Sequence, residues 1–224
     1  MSVIKNMYAV GRNYTLHAAE LGNAVPESPL IFMKPSHAAV LMDGGTVQLP
    51  DRLGSVHYEA ELVIRIARTY EPGAKAEELI SDFALGLDLT LRDVQAELKA
   101  KQLPWLKAKG FKNSAPITPF LRFEGLPQLA AASFSLKING EERQRGNIRD
   151  MIFDLQTLID HIGLHYGLGE GDVIFTGTPA GVGQISDQDE MELYWGETLL
   201  GPAVSLFDLG QTIAVWVKKD IMKL

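Results

Sequence analysis

Apolar residues along the chain gather in short runs, most of them with β-branched or aromatic members and broken by Gly, Pro and Asn, a pattern that predicts strands. The strand-like segments are Leu30 to Met33, Val56 to Arg68, Ala84 to Leu89, Phe134 to Ile138, Asp172 to Phe175, Met191 to Tyr194 and Thr212 to Val217. Asn139-Gly140 separates Leu136-Lys137-Ile138 from Glu141-Glu142-Arg143, and a two-residue hairpin is expected there because both of its turn positions need positive φ. Three stretches have helical spacing. Thr90 to Gln102 puts Leu91, Val94 and Leu98 on one face, with Thr90 as cap, Asp93 in the first turn and Pro104 as terminator. Met151 to Tyr166 carries the stripe Ile152, Leu155, Leu158, Ile159 and Ile162. Leu16 to Leu21, between Thr15 and Gly22, is marginal alone because helix nucleation orders several residues for few hydrogen bonds. No repeat or linker composition interrupts the chain, so one core over residues 1–224 is the simplest reading.

Polar residues that fall inside these apolar patterns are the candidates for chemistry. In the run His57 to Ile66, Tyr58, Ala60, Leu62, Ile64 and Ile66 share one face, and His57, Glu59 and Glu61 the other. The two carboxylates, roughly 7 Å apart at Cα, repel unless a cation lies between them. A solvated strand face is the plainer account of that pair alone. Asp88, within Leu85-Gly86-Leu87-Asp88-Leu89, changes the balance, since a charge in a central strand needs a partner. Three carboxylates and no cysteine describe an oxygen-ligand site for a hard cation, Mg²⁺ or Mn²⁺.

His17 and Glu20 stand at i and i+3, where a carboxylate can raise an imidazole's basicity and fix its tautomer, as a general base for water requires; an exposed pair is the commoner meaning of such neighbours. His161 and His165, at i and i+4, lie off the apolar stripe, lack a zincin glutamate and read as a solvated face. The stretch Thr176-Gly177-Thr178-Pro179-Ala180-Gly181-Val182-Gly183 is a Gly-rich loop after a strand, whose amides could approach an anion, although no phosphate-loop Lys-Ser/Thr follows. Lys107 and Lys109 read at face value as surface lysines, and no Gly-x-Ser-x-Gly elbow is present.

Composition narrows the partners. Twenty-one basic against 28 acidic residues give a net charge of −7, which disfavours nucleic acid and anionic membranes. The absence of cysteine excludes disulfides and thiolate sites and suits a reducing compartment. With no signal-peptide h-region after Met1 and no apolar run near the ~20 residues that span a bilayer, a cytoplasmic location is expected.

Gly11-Arg12-Asn13-Tyr14 with His17 and Glu20, Phe32-Met33-Lys34-Pro35, the His-x-Glu-x-Glu-Leu strand, Leu87-Asp88-Leu89-Thr90 leading to Arg92-Asp93-Val94-Gln95, Leu103-Pro104-Trp105, Ala108-Lys109-Gly110-Phe111, Gly146 to Ile152 and the Thr-Gly-Thr-Pro-x-Gly-Val-Gly loop occur in that order. Together they resemble the fumarylacetoacetate hydrolase family, in particular its small acylpyruvase and oxaloacetate decarboxylase branch. The resemblance implies a mostly β (α+β) fold, a mixed β-sandwich roll with few helices, usually a homodimer, with a mobile lid within residues 1–25. It carries the metal onto Glu59, Glu61 and Asp88, the catalytic dyad onto His17 and Glu20, and an oxyanion-stabilising role onto Lys109. Substrate binding falls to Arg12, Arg92, Gln95, Gly177 and Thr178, and His57 is either a supporting residue or a base.

The activity so implied is hydrolysis of the C–C bond of acylpyruvates to pyruvate and a carboxylic acid, with His17 activating water, and decarboxylation of oxaloacetate. A dication against three carboxylates leaves a local charge of −1, so a small anionic 2-oxo acid needs further cations such as Lys109 and Arg12. An isomerase or tautomerase acting on oxaloacetate or a homocatechuate-pathway dicarboxylate is the enzymatic alternative. A non-catalytic metal-binding dimer module is the distant one.

Overall fold

The computed structural model describes residues 4–20, 22 and 25–208, with only the backbone of residues 18 and 19; the strand expected at Thr212 to Val217 lies outside the described residues. The described chain is mostly β. Its largest sheet runs Leu30–Lys34, Met7–Gly11, Val173–Phe175, Ala60–Ile66, Ile80–Leu87, Ala115–Ile117 and Ala39–Leu41, with Leu121–Arg122 also paired to Ile80–Leu87. The second sheet orders Glu141–Gly146, Phe134–Ile138, Glu190–Trp195, Thr198–Asp208 and Thr46–Pro50. A three-stranded ribbon joins Gly183–Gln184, Val56–Tyr58 and Thr90–Leu91. Most pairs are antiparallel, but Met7–Gly11 lies parallel to Val173–Phe175, Ala39–Leu41 to Ala115–Ile117, and Thr198–Asp208 to Thr46–Pro50.

The largest sheet is buried on both faces, which is why its central strands read as near-continuous apolar runs. Ala60, Leu62, Ile64 and Ile66 enter the main core, with Leu85, Leu87 and the helix residues Leu155, Leu158, Ile159 and Ile162. Val63, Ala84, Val173 and Phe175 form a second cluster on the other side. The hairpin forms as expected, with Asn139 at φ 52° and Gly140 at φ 78° between Phe134–Ile138 and Glu141–Gly146.

Several boundaries differ from the periodicity. The run from Val56 to Arg68 is two strands, because the chain leaves the ribbon at Tyr58 and enters the large sheet at Ala60. The strand expected at Ala84 to Leu89 covers Ile80–Leu87, so Asp88 stands just past its end. The first long helix is Arg92–Ala100: Thr90 caps nothing, since Thr90–Leu91 pairs with the ribbon and the Thr90 hydroxyl donates to the Asp88 carbonyl. The second is Leu155–His165, begun by Asp154, whose side chain accepts from the Thr157 amide at 2.8 Å. Met151 to Phe153 instead continue as loop because Asn13 takes their backbone groups, its carbonyl accepting from Ile152 N and its Oδ1 from Phe153 N, both at 2.8 Å.

Candidate active site

The last rungs of one antiparallel ladder assemble the acidic cluster. Ala60 pairs with Leu87 and Glu61 with Gly86, so Glu59 and Asp88 meet just beyond the last pair, where Asp88 N donates to the Glu59 carbonyl at 2.8 Å. Cross-strand neighbours point to the same side, and Glu61 shares that side with Glu59. Carboxylate oxygens of Glu59, Glu61 and Asp88 lie within 4.8 Å of one another, and all three residues are buried. Gly86 opposite Glu61 carries no side chain because a Cβ there would stand 2.7 Å from the Phe175 ring.

Three cations answer this charge. Lys109, buried at the end of the short Leu106–Lys109 helix, donates to Glu59 Oε2 at 2.7 Å, Asp88 Oδ2 at 2.6 Å and Thr90 Oγ1 at 2.7 Å, over the ring of Phe32. Arg92 bonds Glu59 Oε1 and donates to Gln95 Oε1 at 2.8 Å. Lys34 reaches Asp88 Oδ1 at 2.7 Å and also donates to the carbonyls of Leu89, Lys109 and Ser114. Burial would raise the Glu59 carboxyl, but Lys109, Arg92 and His17 outweigh it and hold it well below the ordinary carboxylate range. Glu61 goes the other way: burial, Asp88 and Glu59 push it well above that range, against the Gly177 amide at 2.7 Å. Burial would also lower Lys109, yet Asp88 and Glu59 hold its ammonium above the usual value; burial prevails at Lys34 and lowers it despite Asp88.

The Gly-rich loop closes the site with its amides. Thr176 is tied to the Leu62 carbonyl, Gly177 N donates to Glu61, and Gly181 N donates to the Glu20 oxygens at 3.1 and 3.3 Å. The anions it approaches are therefore the protein's own. Gly177 holds φ +99° with Asn13 packed where a Cβ would lie, at 2.6 Å, a place for glycine alone. Glu20 in turn faces His17 Nδ1 at 3.4 Å, which leaves Nε2 as the ring's free nitrogen. His17 is 4% exposed on the helix Thr15–Glu20, and burial lowers its pKa although Glu59 and Glu20 oppose it, so the ring is neutral near pH 7.

These parts line a cavity of about 30 Å³ together with Arg12, Gln95, Lys99, Trp105 and Thr178. Of the residues expected from sequence, His17, Lys109, Arg12, Arg92, Gln95, Thr178, Glu59, Glu61 and Asp88 border it directly. Glu20 and Gly177 stand behind His17 and Glu61, and the Thr178 hydroxyl is spent on the Ala60 carbonyl at 2.8 Å. Lys109 is no surface lysine, whereas Lys107 is exposed. His57 does not border the cavity: the break at Glu59 ends the shared face, and His57 pairs in the ribbon with Thr90 and Gln184. His161 and His165 lie together on the second long helix, ring centroids 4.6 Å apart, away from this site. Lys34, Phe32 and Lys99 had no assigned role, and Thr90 had one only as a helix cap. Lys34 was legible in principle, being in phase with Leu30 and Phe32 along one strand face.

The donor set fits a hard divalent cation. Its oxygens come from carboxylates alone, and while Lys34, Lys109 and Arg92 bond Glu59 and Asp88, Glu61 is bonded by a backbone amide instead, and a bound cation would offset the burial and like charge that raise its pKa.

Residues 6–221 match the family described as fumarylacetoacetate (FAA) hydrolase C-terminal. The mitochondrial oxaloacetate tautomerase FAHD1 of Rattus norvegicus is 42% identical over 190 residues, 84% of this chain and 86% of the relative. Oxaloacetate tautomerase YcgM of Escherichia coli K12 is 40% identical over 193 residues, 84% and 87% of the two chains. Among solved structures, fumarylpyruvate hydrolase from Pseudomonas aeruginosa in complex with Mn²⁺ and pyruvate superposes with a TM-score of 0.84 at 33% identity, covering 92% of this chain and 91% of that one.

Proposed function

For a chain that belongs to the fumarylacetoacetate hydrolase family, we propose an enzyme of small 2-oxo acids whose principal reaction is the keto–enol tautomerisation of oxaloacetate. The observation that carries this reading is the convergence of Glu59, Glu61 and Asp88 on one cavity with a buried, neutral His17. A divalent cation, Mg²⁺ or Mn²⁺, held by the three carboxylates would act as a Lewis acid toward the 2-oxo group. Arg92 and Gln95 hold the C1 carboxylate from the Arg92–Ala100 helix, the guanidinium and the side-chain amide being fixed against each other at 2.8 Å. His17 Nε2 takes the proton from C3, and Glu20, 3.4 Å from Nδ1, steadies the imidazolium so formed. Return of that proton to the C2 oxygen completes the enol with no atom gained or lost. Lys109, with its three N–H groups on Glu59, Asp88 and Thr90, holds Glu59 as a carboxylate and lends its positive charge to the cavity in which the enolate forms.

A second reading, hydrolysis of acylpyruvates, uses the same base on water, and the oriented His17–Glu20 pair together with the fumarylpyruvate hydrolase likeness favours it. Oxaloacetate and acetylpyruvate assayed with Mg²⁺, following enol absorbance and pyruvate release separately, test both. Fast enol–keto exchange without pyruvate supports the tautomerase; pyruvate from acetylpyruvate as the faster reaction supports the hydrolase. Exchange no faster than in protein-free buffer overturns the first reading. The proposal includes a homodimer, checked by light scattering.

A further inference from the structure

The cavity's inner end and its mouth are charged differently. Inside, Lys109 and Arg92 are bonded to Glu59 and Asp88, and Lys34 backs Asp88 from behind the cavity lining. Toward the mouth the helix Arg92–Ala100 continues its cavity-facing stripe by spacing i, i+3, i+7, from Arg92 through Gln95 to Lys99. Arg12 enters the same cavity from the end of the first strand. Its backbone is at φ 60°, a region non-glycine residues seldom adopt, and the neighbouring Asn13 fixes it there through bonds to Phe153 and Thr176. The Lys99 ammonium is held below its ordinary value by partial burial and then by Arg12 and Arg92, against the pull of Glu59. Like charges gathered at the rim of a pocket are relieved by an anion there.

The proposed substrate has one charge that the inner site does not answer. Its C1 carboxylate and the oxygen at C2, as the enolate forms, present two negative charges to the dication. A carboxylate at the far end of the molecule is a third. We infer that Arg12 and Lys99 form a subsite for this distal carboxylate, and that Lys99 is a specificity-determining residue selecting 2-oxo dicarboxylic acids over acylpyruvates with neutral tails. The inference rests on the reading of the site as one for 2-oxo acids.

Malate and lactate test it at equilibrium, because both offer a 1-carboxylate and a 2-oxygen and only malate has a distal carboxylate. In calorimetric titrations of the Mn²⁺-loaded protein, the wild type binds malate more tightly than lactate. Lys99→Met, on an exposed helix position that tolerates methionine, weakens malate about tenfold, as expected for one charge-assisted hydrogen bond, and lactate by a much smaller factor; Lys99→Arg retains the preference. In turnover, Lys99→Met lowers the ratio of kcat/KM for oxaloacetate over acetylpyruvate about tenfold, through KM. Equal affinity of the wild type for malate and lactate, or an equal loss on both in Lys99→Met, overturns the subsite. If neither oxo acid is turned over while Lys99→Met still abolishes the malate preference, the reaction assignment falls and the subsite stands.

Discussion

Glu59, Glu61 and Asp88 are fixed from two directions, by the final rungs of a buried ladder and by Lys34, Lys109 and Arg92 on Glu59 and Asp88 with the Gly177 amide on Glu61, whereas His17 and Glu20 ride on a six-residue helix fastened to the Gly-rich loop through Glu20 and Gly181. The first group cannot move without unpairing strands in the largest sheet. Among the described residues the second is tied to the loop through Glu20, which is already one-third exposed. A site divided in this way keeps its ion-binding half constant and lets its proton-handling half open for substrate, which is the basis on which we propose that the N-terminal segment is a lid.

The comparison can be broken most severely at the cluster. Glu61→Ala should lose bound Mg²⁺ or Mn²⁺ and with it roughly 10³-fold or more in turnover, as the Lewis-acid contribution amounts to several kcal/mol. Metal content and kcat on the purified variant check this, and full activity after exhaustive chelation would remove the ion from the reaction. Lys34→Met should act on stability: it leaves Asp88 and the carbonyls of Leu89, Lys109 and Ser114 without their shared donor. Breaking a buried pair costs about 3–5 kcal/mol, which for a chain of this size lowers Tm by roughly 10 °C. A Tm within about 2 °C of wild type would mean that Lys34 contributes little to the rigid half.

The half that carries His17 and Glu20 should respond in rate. His17→Ala removes a general base worth typically ~10²–10⁴-fold and should leave metal binding and Tm nearly unchanged. Because burial holds His17 below the free histidine value of 6.5, turnover should be level above that pH and fall below it. The stability effect has the same sign: the unfolded chain binds more protons than the folded one in that window, so the closed helix is weakened as pH falls. A pH–rate profile inflecting above 6.5 would contradict the burial. The smallest effect is expected for Glu20→Gln, which keeps the helix but weakens the bonds to Gly181 N and His17: about a tenfold slower reaction and faster amide exchange at residues 15–20. Oxalate with Mn²⁺ should slow that exchange in the wild type; exchange that is slow without ligand would make the segment fixed structure.

Much of the rigid half was legible because carboxylates inside apolar strands stand out against their neighbours, as Asp88 does between Leu87 and Leu89. The cations were less so. Lys109 reads as a surface lysine, and Lys34 gains its role only when the fold brings segments 55 to 80 residues away around its ammonium. Thr90 was misread as a cap since local chemistry allows either use, and long-range pairing with His57 decided it. The strand Thr198–Asp208 was missed because Gly201-Pro202 reads as a turn, yet both pair across to the neighbouring strand beside an irregularity at Leu193/Tyr194, and a Cβ on Gly201 would strike the Met42 carbonyl at 2.8 Å. The break at Glu59 separated His57 from the face it shares on paper.

The parallel pairing of Met7–Gly11 with Val173–Phe175 sets a clock on biosynthesis. A ribosome adding about 5–20 residues per second supplies the antiparallel neighbour Leu30–Lys34 within roughly 1–5 s but the parallel neighbour only after roughly 10–30 s, and the Gly177 amide that holds Glu61 follows it. During that interval Met7–Gly11 can pair along one edge only, and the three carboxylates sit on a chain that lacks the loop that closes over them. The Met7–Gly11 strand therefore completes its pairing, and the ion-binding centre its closure, only after residues 173–177 have been made.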